Sequence, residues 1–326
     1  MLFESNKLLL DVYMEIEGKT AIVTGGAGFI GSHIVKRLAN GDNKVTVIDA
    51  LTTGSIDNLR EVEGRYEFFR GRAKIIVDLP KADVVFHQGI GSSTPLYRTN
   101  RKLVAECIED FIYVLEYCVR NEARLVFASS SSIYNRHKPP HKEEMIPFVT
   151  DFYTEARYSM ERLADLYNQM FGLKYAALRY FSIYGPGEES KKSFANMVSQ
   201  IMWKALLNKE LNVYGDGSQR RDLVNIEDAV SANMRAYCAD VNGVFNVGNG
   251  ISYSFNEMIS KVKEVTGKEV KVRYIENPLQ NYVDVTEAET PKMLNVLGFK
   301  PSVELNAGIK SAFDYYSKLE RVPDIF

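Results

Sequence analysis

The sequence has few of the residues that mark disulfide-rich or membrane proteins. Three cysteines occur in 326 residues, at Cys107, Cys118 and Cys238. Their number and wide spacing exclude a disulfide framework and a C-x-x-C metal site, and they fit a reducing compartment. The longest apolar runs are far below the ~20 residues that a membrane helix needs. Near the N-terminus, Asp11 directly follows three leucines and interrupts any signal-peptide core. We therefore expect a cytoplasmic protein with no membrane partner.

The sequence also lacks an excess of one charge. Forty basic and 42 acidic side chains give a formal net charge of −2 at pH 7. Because no strong field of one sign attracts a polyanion, no nucleic acid is expected as a partner. Hydrophobic residues make up 45% of the chain and charged residues 25%, as in globular proteins with a sizeable core. The length suggests about two domains, or one large α/β unit with an appendage.

Short β-rich runs alternate with helical patterns over the first 180 residues. Strands are predicted at 20–24, 44–49, 66–69, 83–87, 124–128 and 175–178. Helices are predicted between them at 29–38, 103–119 and 151–171. This alternation predicts βαβ crossovers and a parallel sheet with both faces covered. Later helical patterns lie near 194–207, 226–239, 255–266 and 305–319. Residues 1–18 precede the first strand, and a short surface helix is one interpretation of them.

A glycine cluster joins the first strand to the first helix. Gly25 permits a tight turn, Gly28 lets the backbone approach a pyrophosphate, and Gly31 allows close packing of helix and strand. The helix N-terminus at Phe29 and Ile30 offers free N–H groups and a positive dipole to phosphates. This arrangement predicts a dinucleotide site, although a glycine-rich turn without a ligand is the alternative.

Asp49 ends the second predicted strand, about 20 residues after the glycine cluster. A carboxylate there accepts hydrogen bonds from the hydroxyls of the adenosine ribose. It would also repel a 2′-phosphate, so NAD is favoured over NADP as the cofactor. The alternative interpretation is a surface aspartate.

The string T-G-G-A-G-F-I-G-S at 24–32 resembles the extended short-chain dehydrogenase/reductase family, particularly its nucleotide-sugar epimerases and dehydratases. The likeness runs from about Lys19 to near the C-terminus. It implies an α/β fold, with a Rossmann-type doubly wound parallel sheet of about seven strands and a smaller C-terminal α/β lobe. Residues 1–181 would form the NAD-binding domain, with a return of the chain near 224–249. Residues 182–326 would form the nucleotide-sugar lobe.

The four serines at 129–132 look like the active-site serine strand of that family. Ser130 lies four residues before Tyr134 and matches the position that hydrogen-bonds the reacting sugar hydroxyl, in the family a catalytic and substrate-binding role. Related dehydratases and decarboxylases carry acids at one or both of the next two positions, where this chain has Ser131 and Ser132. The missing acids argue against elimination and leave oxidation and reduction at a single carbon. A simple polar loop is the alternative.

Tyr153 and Arg157, followed by Glu161, match the family's Y-x-x-x-K-x-x-x-E except that arginine replaces lysine. Residues four apart share one helix face, so both side chains can point at a nicotinamide ribose. A phenol of pKa ~10 becomes a useful base when a fixed cation lowers its pKa. We interpret Tyr153 as the catalytic acid/base and Arg157 as a ribose ligand that depresses its pKa. Packing of Tyr153 at the helix start, with Arg157 in solvent, is the alternative.

The segment R-Y-F-S-I-Y-G-P at 179–186 is similar to the family's R-Y-F-N-V-Y-G-P. Ser182 stands where asparagine contacts the substrate, so that contact is shortened or lost. In the family Tyr180 and Phe181 would flank the nicotinamide, and positions in the core are equally compatible with the sequence. Arg221, in G-D-G-S-Q-R-R-D at 215–222, is expected to bind the substrate diphosphate through a bidentate guanidinium.

Two aspartates and one missing arginine complete the comparison of the substrate half. Asp222 and Asp228 are expected to orient the loop and to cap the helix that follows. The family's second diphosphate arginine, expected near 281–284, is absent. Together these motifs favour NAD-dependent epimerisation of a nucleotide sugar, most simply UDP-hexose at C4 through a keto-sugar.

Other residues leave alternatives open. The stretches at 187–192 and 282–289 resemble the ADP-heptose 6-epimerase branch, in which a lysine beside the tyrosine is a second acid/base. Lys191 falls at that position, where it would also contact substrate, unless it simply faces water. Arg157 and Ser182 are also compatible with a binding protein whose catalysis is impaired. Arg72 replaces the aspartate that holds adenine in the family, and arginine cannot accept from the adenine amino group.

No metal site is predicted, because two prolines separate His137 from His141 and no further ligand lies nearby in sequence. The helices near 100–120 and 151–172 have apolar residues to spare. The family resemblance implies a homodimer in which these helices form a four-helix contact.

Overall fold

The computed structural model describes residues 16–277 and 283–325. Apart from a turn at 16–18, the expectation for residues 1–18 lies outside the described residues. Twelve strands are described: β1 (Thr20–Thr24), β2 (Lys44–Asp49), β3 (Glu67–Arg70), β4 (Val84–His87), β5 (Arg124–Ser130), β6 (Tyr175–Tyr180), β7 (Ser182–Tyr184), β8 (Glu210–Tyr214), β9 (Arg220–Asn225), β10 (Gly243–Val247), β11 (Ser252–Ser254) and β12 (Lys271–Ile275).

Nine α-helices are described with them: α1 (Phe29–Ala39), α2 (Thr94–Thr99), α3 (Leu103–Asn121), α4 (Phe152–Phe171), α5 (Met197–Leu206), α6 (Ile226–Cys238), α7 (Phe255–Thr266), α8 (Pro291–Leu297) and α9 (Leu305–Tyr316). Short 3-10 helices lie at Ile56–Val62, Ala73–Asp78, Ser131–Tyr134 and Glu189–Phe194. In the part of the chain that these elements cover, no helix is long and apolar enough to cross a bilayer.

The central sheet has seven strands in the order β10-β6-β5-β4-β1-β2-β3, and every neighbouring pair is parallel. The chain reverses its direction of travel across the sheet at β1, which lies between β2 and β4. Ligands of doubly wound sheets bind beyond the carboxyl ends of the strands at such a point. The Rossmann-type fold is thereby confirmed. Two smaller sheets, β11-β9-β7 and β12-β8, belong to the later part of the chain.

The inner strands of the central sheet are buried on both faces because helices cover both. In β1, Ala21 and Val23 belong to the core cluster that includes Ile34 and Val35 of α1. Ile22 points to the opposite face, where it joins Phe111 of α3 and other residues of α3 and α4. Continuous apolar runs of this kind are typical of parallel strands buried on both faces.

Some boundaries differ from the predicted ones for a physical reason. Strands β5 and β6 each run two residues further than predicted, because their pairing continues through Ser129 with Arg179 and Ser130 with Tyr180. The helices α2 and α8 were not predicted. They have six and seven residues, too few to show a helical period, and each has a proline in its first turn.

A buried ion pair ties the serine strand to the helix that carries Tyr153. Arg179 of β6 binds Glu161 of α4 through two contacts, Nε to Oε1 at 3.0 Å and Nη2 to Oε2 at 2.7 Å. Both side chains are 4% exposed. Ser129 Oγ donates to Glu161 Oε1 at 2.5 Å, and Arg179 Nη1 donates to Tyr134 Oη at 2.7 Å. The pair therefore joins β5, β6 and α4 behind the carboxyl ends of the strands.

Removing one partner of a buried ion pair leaves an uncompensated charge, which costs about 3–5 kcal/mol. We expect Glu161→Ala to lower the free energy of unfolding by that amount in a denaturant titration. The matched control is Asp314→Ala, which breaks the exposed pair with Lys310 and should cost less than about 1 kcal/mol. Equal losses in the two variants would contradict the structural role of Glu161.

Candidate active site

The glycine loop between β1 and α1 is shaped by close backbone contacts. Gly25 has a φ of +66°, and a Cβ there would lie 2.6 Å from the backbone nitrogen of Gly89. A Cβ on Gly31 would lie 2.1 Å from the carbonyl oxygen of Gly25. Gly28 is the N-cap residue of α1, and no side chain caps that helix. The N-terminus of α1 at Phe29 and Ile30 therefore offers backbone N–H groups and the positive end of the helix dipole to a ligand.

Asp49 holds this loop in place. Its Oδ2 accepts from the backbone N–H of Ala27 at 2.9 Å, and its Oδ1 accepts from that of Leu51 at 2.7 Å. Asn58 Nδ2 donates to the carbonyl of Ala27 at 2.9 Å. Burial raises the pKa of Asp49 in spite of these N–H donors. The carboxylate therefore acts on the loop itself, at the edge of the cavity in which ribose binding is predicted.

A cavity of about 460 Å³ extends from the glycine loop over the carboxyl ends of the central strands. Eleven of the predicted site residues line it: Gly25, Gly28, Phe29, Ile30, Gly31, Asp49, Ser130, Tyr153, Arg157, Ser182 and Lys191. Arg221 does not line it. The Nη1 of Arg221 donates to the carbonyl of Arg220 at 2.8 Å, and its guanidinium lies 5.5 Å from the ring centre of Phe255.

Tyr153 and Arg157 lie in the first two turns of α4, which Asp151 caps by accepting from the N–H of Thr154 at 2.8 Å. The guanidinium carbon of Arg157 is 4.7 Å from the ring centre of Tyr153. Tyr97 of α2 packs edge-on against the same ring, with 5.6 Å between centroids. The phenol and the cation are therefore adjacent, as the i, i+4 spacing predicts.

Arg157 is buried with donors to spare. It is 3% exposed, and its Nη2 donates to the carbonyl of Gly91 at 2.8 Å. Its Nε and Nη1 have no hydrogen-bond partner among the described residues. Burial lowers the pKa of Arg157, but the neighbouring phenols of Tyr153 and Tyr97 more than offset this and raise it. A buried cation with orphan donors fits a cavity that receives an oxygen-rich ligand such as a dinucleotide.

The serines take separate positions. Ser129 is bonded to Glu161 behind the strand, whereas Ser130 and Ser131 line the cavity. The Oγ atoms of Ser130 and Ser132 are 2.5 Å apart, and Ser130 caps the short 3-10 helix that follows. Ser130, at the end of β5, and Tyr153, on α4, therefore line the same cavity.

Lys191 is not a solvated charge. Its Nζ donates to Glu188 Oε1 at 2.7 Å, and the side chains of Lys191 and Glu188 are 17% and 0% exposed. Its Nζ also lies 5.2 Å from the ring centre of Phe29 at the start of α1. Lys191 therefore approaches the glycine loop from the later part of the chain.

Tyr180 and Phe181 fit both of their interpretations. Both line the cavity, and both are buried in a core cluster. The hydroxyl of Tyr180 donates to Asn233 Oδ1 at 3.0 Å, which fixes this ring at the cavity wall.

The two aspartates after Arg221 bind backbone N–H groups. Asp222 accepts from Asn249, Gly250 and Ala288 at 2.7–3.0 Å, and burial raises its pKa to about 6. Asp228 accepts from the N–H groups of Ser302 and Val303. The expected capping of the next helix by these aspartates is wrong. Asn225 caps α6 instead. It directly precedes the first helical residue, and its side chain accepts from the N–H of Glu227 at 2.9 Å.

Sequence reasoning missed several cavity residues, chiefly Tyr97, Cys107 and Asp110. The only local signal for Tyr97 was the start of α2 at Thr94-Pro95, where proline favours a first turn. Nothing in the sequence marks Asp110, which lies in the middle of α3.

The two histidines considered for a metal have other contacts. His137 Nε2 lies 2.7 Å from the carbonyl oxygen of Ile146, and His141 Nδ1 lies 3.0 Å from that of Glu287. In residues 16–277 and 283–325, no group of three or more histidine, cysteine, aspartate or glutamate side chains is arranged to hold a metal ion.

Comparison with known proteins identifies the family. Residues 21–248 match the NAD dependent epimerase/dehydratase family. A putative UDP-glucose 4-epimerase of Methanocaldococcus jannaschii is 30% identical over 92% of this chain and 99% of its own length. An ADP-L-glycero-D-manno-heptose-6-epimerase of Brachyspira hyodysenteriae is 31% identical over 91% of this chain and 98% of its own.

A solved structure supports the same family assignment. The UDP-glucose 4-epimerase of Thermotoga maritima, crystallised with UDP-glucose, superposes with a TM-score of 0.85 at 30% identity, covering 92% of this chain and 99% of that one. The predicted resemblance and the NAD cofactor are both confirmed. The chain is an enzyme that belongs to the NAD dependent epimerase/dehydratase family.

Proposed function

We propose that the protein epimerises a nucleotide sugar, and that its substrate is a UDP-hexose turned over at C4. The observation that carries this proposal is one cavity that joins the glycine loop to Ser130, Tyr153 and Arg157. Its support from relatives is the similarity to the epimerases of Methanocaldococcus jannaschii and Thermotoga maritima along nearly their whole lengths.

The side chains of the cavity supply proton transfer and charge. Tyr153 takes the proton from the sugar hydroxyl, and the guanidinium of Arg157 at 4.7 Å from its ring stabilises the phenolate. Ser130 holds the same hydroxyl by a hydrogen bond. NAD, when bound, would be the reversible hydride acceptor. The protein orients the reacting groups and stabilises their charges. Tyr153 returns the proton after the keto-sugar has turned, so no second acid is needed at Ser131 or Ser132.

We propose that residues in the later part of the chain bind the sugar nucleotide. Ser182 and Lys191 line the cavity and would contact the sugar. Arg221 remains our proposed diphosphate ligand. Because it lies outside the cavity, a diphosphate bound to it would extend toward the 215–222 loop. We likewise propose the division into residues 1–181, with the return near 224–249, and residues 182–326.

The activity test uses purified protein with UDP-glucose, UDP-galactose and their N-acetyl and uronate relatives, with products separated by chromatography. We expect interconversion of at least one pair, and a loss of about 10²–10⁴-fold in kcat for Tyr153→Phe. Tyr158→Phe is the matched control, because Tyr158 lies on the same helix but not in the cavity. No interconversion of any pair by NAD-loaded protein would overturn the proposal.

A heptose-type 6-epimerase is the second candidate, because Lys191 lines the cavity with a side chain that is only 17% exposed, which fits a second acid/base. The similarity to the Brachyspira hyodysenteriae enzyme supports it. The same assay with an ADP-heptose decides it. Lys191→Met should then abolish turnover, whereas Lys192→Met, at the exposed neighbour outside the cavity, should preserve it. Full activity of Lys191→Met would reject this candidate.

The alternative of impaired catalysis rests on Arg157 in place of lysine. Turnover of the unmodified protein at about 1 s⁻¹ or faster, the range of ordinary enzymes, rejects it. A large gain of activity in Arg157→Lys from a much slower protein would favour it.

We also propose a homodimer through α3 and α4, in a protein whose cytoplasmic location stays a prediction. Large apolar side chains of these helices are exposed: Ile112 and Tyr113 on α3, and Leu166, Met170 and Phe171 on α4. Exposed apolar patches of this kind mark protein interfaces. Sedimentation should show a dimer that Met170→Glu converts to a monomer. A monomer before the substitution would contradict the proposal.

A further inference from the structure

The cavity continues past the glycine loop to a second end that the proposed chemistry does not use. Tyr153 and Arg157 mark the redox end beside β4 and β5, on one side of β1. The strand order places β2 and β3 on the other side. A pyrophosphate bound at the N-terminus of α1 would place the adenosine half of NAD over the carboxyl ends of β2 and β3.

This adenosine end has a wall made by residues after β3 and by α3. Gly71 follows β3 directly, and its N–H donates to the carbonyl of Asp49 at 3.0 Å. The wall is lined by Gly71, Arg72, Ala73, Leu103, Glu106, Cys107 and Asp110. Ala73 and Leu103 offer apolar surface to a flat base, and the charged residues of the wall are Arg72, Glu106 and Asp110.

The two carboxylate oxygens of Asp110 differ in their contacts. Its Oδ2 accepts from Arg72 Nε at 3.0 Å. Its Oδ1 is buried and has no hydrogen-bond partner among the described residues, although the N–H of Lys74 faces this carboxyl. The side chain is 9% exposed. A buried carboxylate oxygen without a partner is costly, and it fits a ligand that brings a donor.

Arg72 fixes the direction of that carboxylate. Besides Asp110 it binds the carbonyl of Glu106 at 2.9 Å and Glu109 Oε2 at 2.7 Å, so three contacts hold its guanidinium against α3. Since arginine has no acceptor, Arg72 itself cannot receive a hydrogen bond from a base. It positions Asp110, whose side chain can.

We propose that Asp110 recognises the adenine of NAD by accepting a hydrogen bond from its exocyclic amino group, with Arg72 as the positioning residue. The predicted selectivity is against a dinucleotide whose base carries a carbonyl oxygen in place of that amino group. Such a base would present an acceptor to the carboxylate.

The test measures cofactor binding without turnover. The protein is equilibrated with equal, excess concentrations of NAD and of nicotinamide hypoxanthine dinucleotide. After rapid removal of free dinucleotide, the bound fraction is released and quantified by chromatography. We expect bound NAD to exceed the hypoxanthine analogue by about tenfold or more, as for a hydrogen bond to a charged group. Nearly equal amounts would overturn the proposal and need no variant.

Two substitutions locate the effect. Asp110→Ala should bring the ratio of bound NAD to analogue close to one. Glu109→Gln removes the other carboxylate partner of Arg72 but lies outside the cavity wall, and it should keep the preference of the unmodified protein. A full preference in folded Asp110→Ala, checked by its melting temperature, would overturn the proposal. The result is independent of which sugar is turned over, because no substrate is present.

Discussion

The arrangement of the site depends on the buried ion pair between Glu161 and Arg179. Glu161 lies on α4, the helix that carries Tyr153 and Arg157, and Arg179 lies on β6. Glu161 also accepts a hydrogen bond from Ser129 of β5, the strand that ends with Ser130. Within the described residues, the hydrogen bond of Ser129 to Glu161 is the polar contact that links the strand of Ser130 to the helix of Tyr153. Both side chains of the pair are 4% exposed, so solvent cannot readily replace either partner. The geometry that we propose for proton transfer is therefore set from the interior of the fold.

The cavity in front of that pair contains polar groups whose hydrogen bonds the protein does not complete. Among the described residues, two buried donors of Arg157 at the end beside Tyr153 and one buried oxygen of Asp110 at the other end have no hydrogen-bond partner. Arg157 offers hydrogen-bond donors, which would face ribose or phosphate oxygens. Asp110 offers an acceptor, which would face an amino group. Under our proposals, a dinucleotide that spans the glycine loop would satisfy both ends at once, which a single small molecule at either end would not.

Part of this site was predictable because its signals are local. The strand, turn and helix around Gly25 and Gly31 occupy about 20 consecutive residues, and each glycine is required by a contact within or beside that unit. Tyr153 and Arg157 were predictable for the same reason, since helix periodicity alone places them together. The parallel arrangement of the central sheet was predictable from the alternation of strands and helices, whereas its number of about seven strands came from the family resemblance.

The remainder depends on contacts between distant segments. Arg72 binds Asp110 across 38 positions of the sequence, and Arg221 binds the carbonyl of Asp284 across 63. No local pattern specifies which partner a charged side chain chooses. Arg72 thus looked like the loss of an adenine ligand when considered alone, whereas the fold supplies a carboxylate beside it. Arg221 matched a motif, but in the structure it lies outside the cavity.

The most direct measurement is a crystal structure with NAD and a UDP-hexose bound. We predict that the Tyr153 hydroxyl and Ser130 Oγ both lie about 2.6–3.2 Å from one sugar hydroxyl, with Arg157 donating to the cofactor. A structure in which the phenol is turned inward against Tyr97, and the sugar lies beyond reach of both side chains, would contradict the proposed mechanism while leaving the fold unchanged.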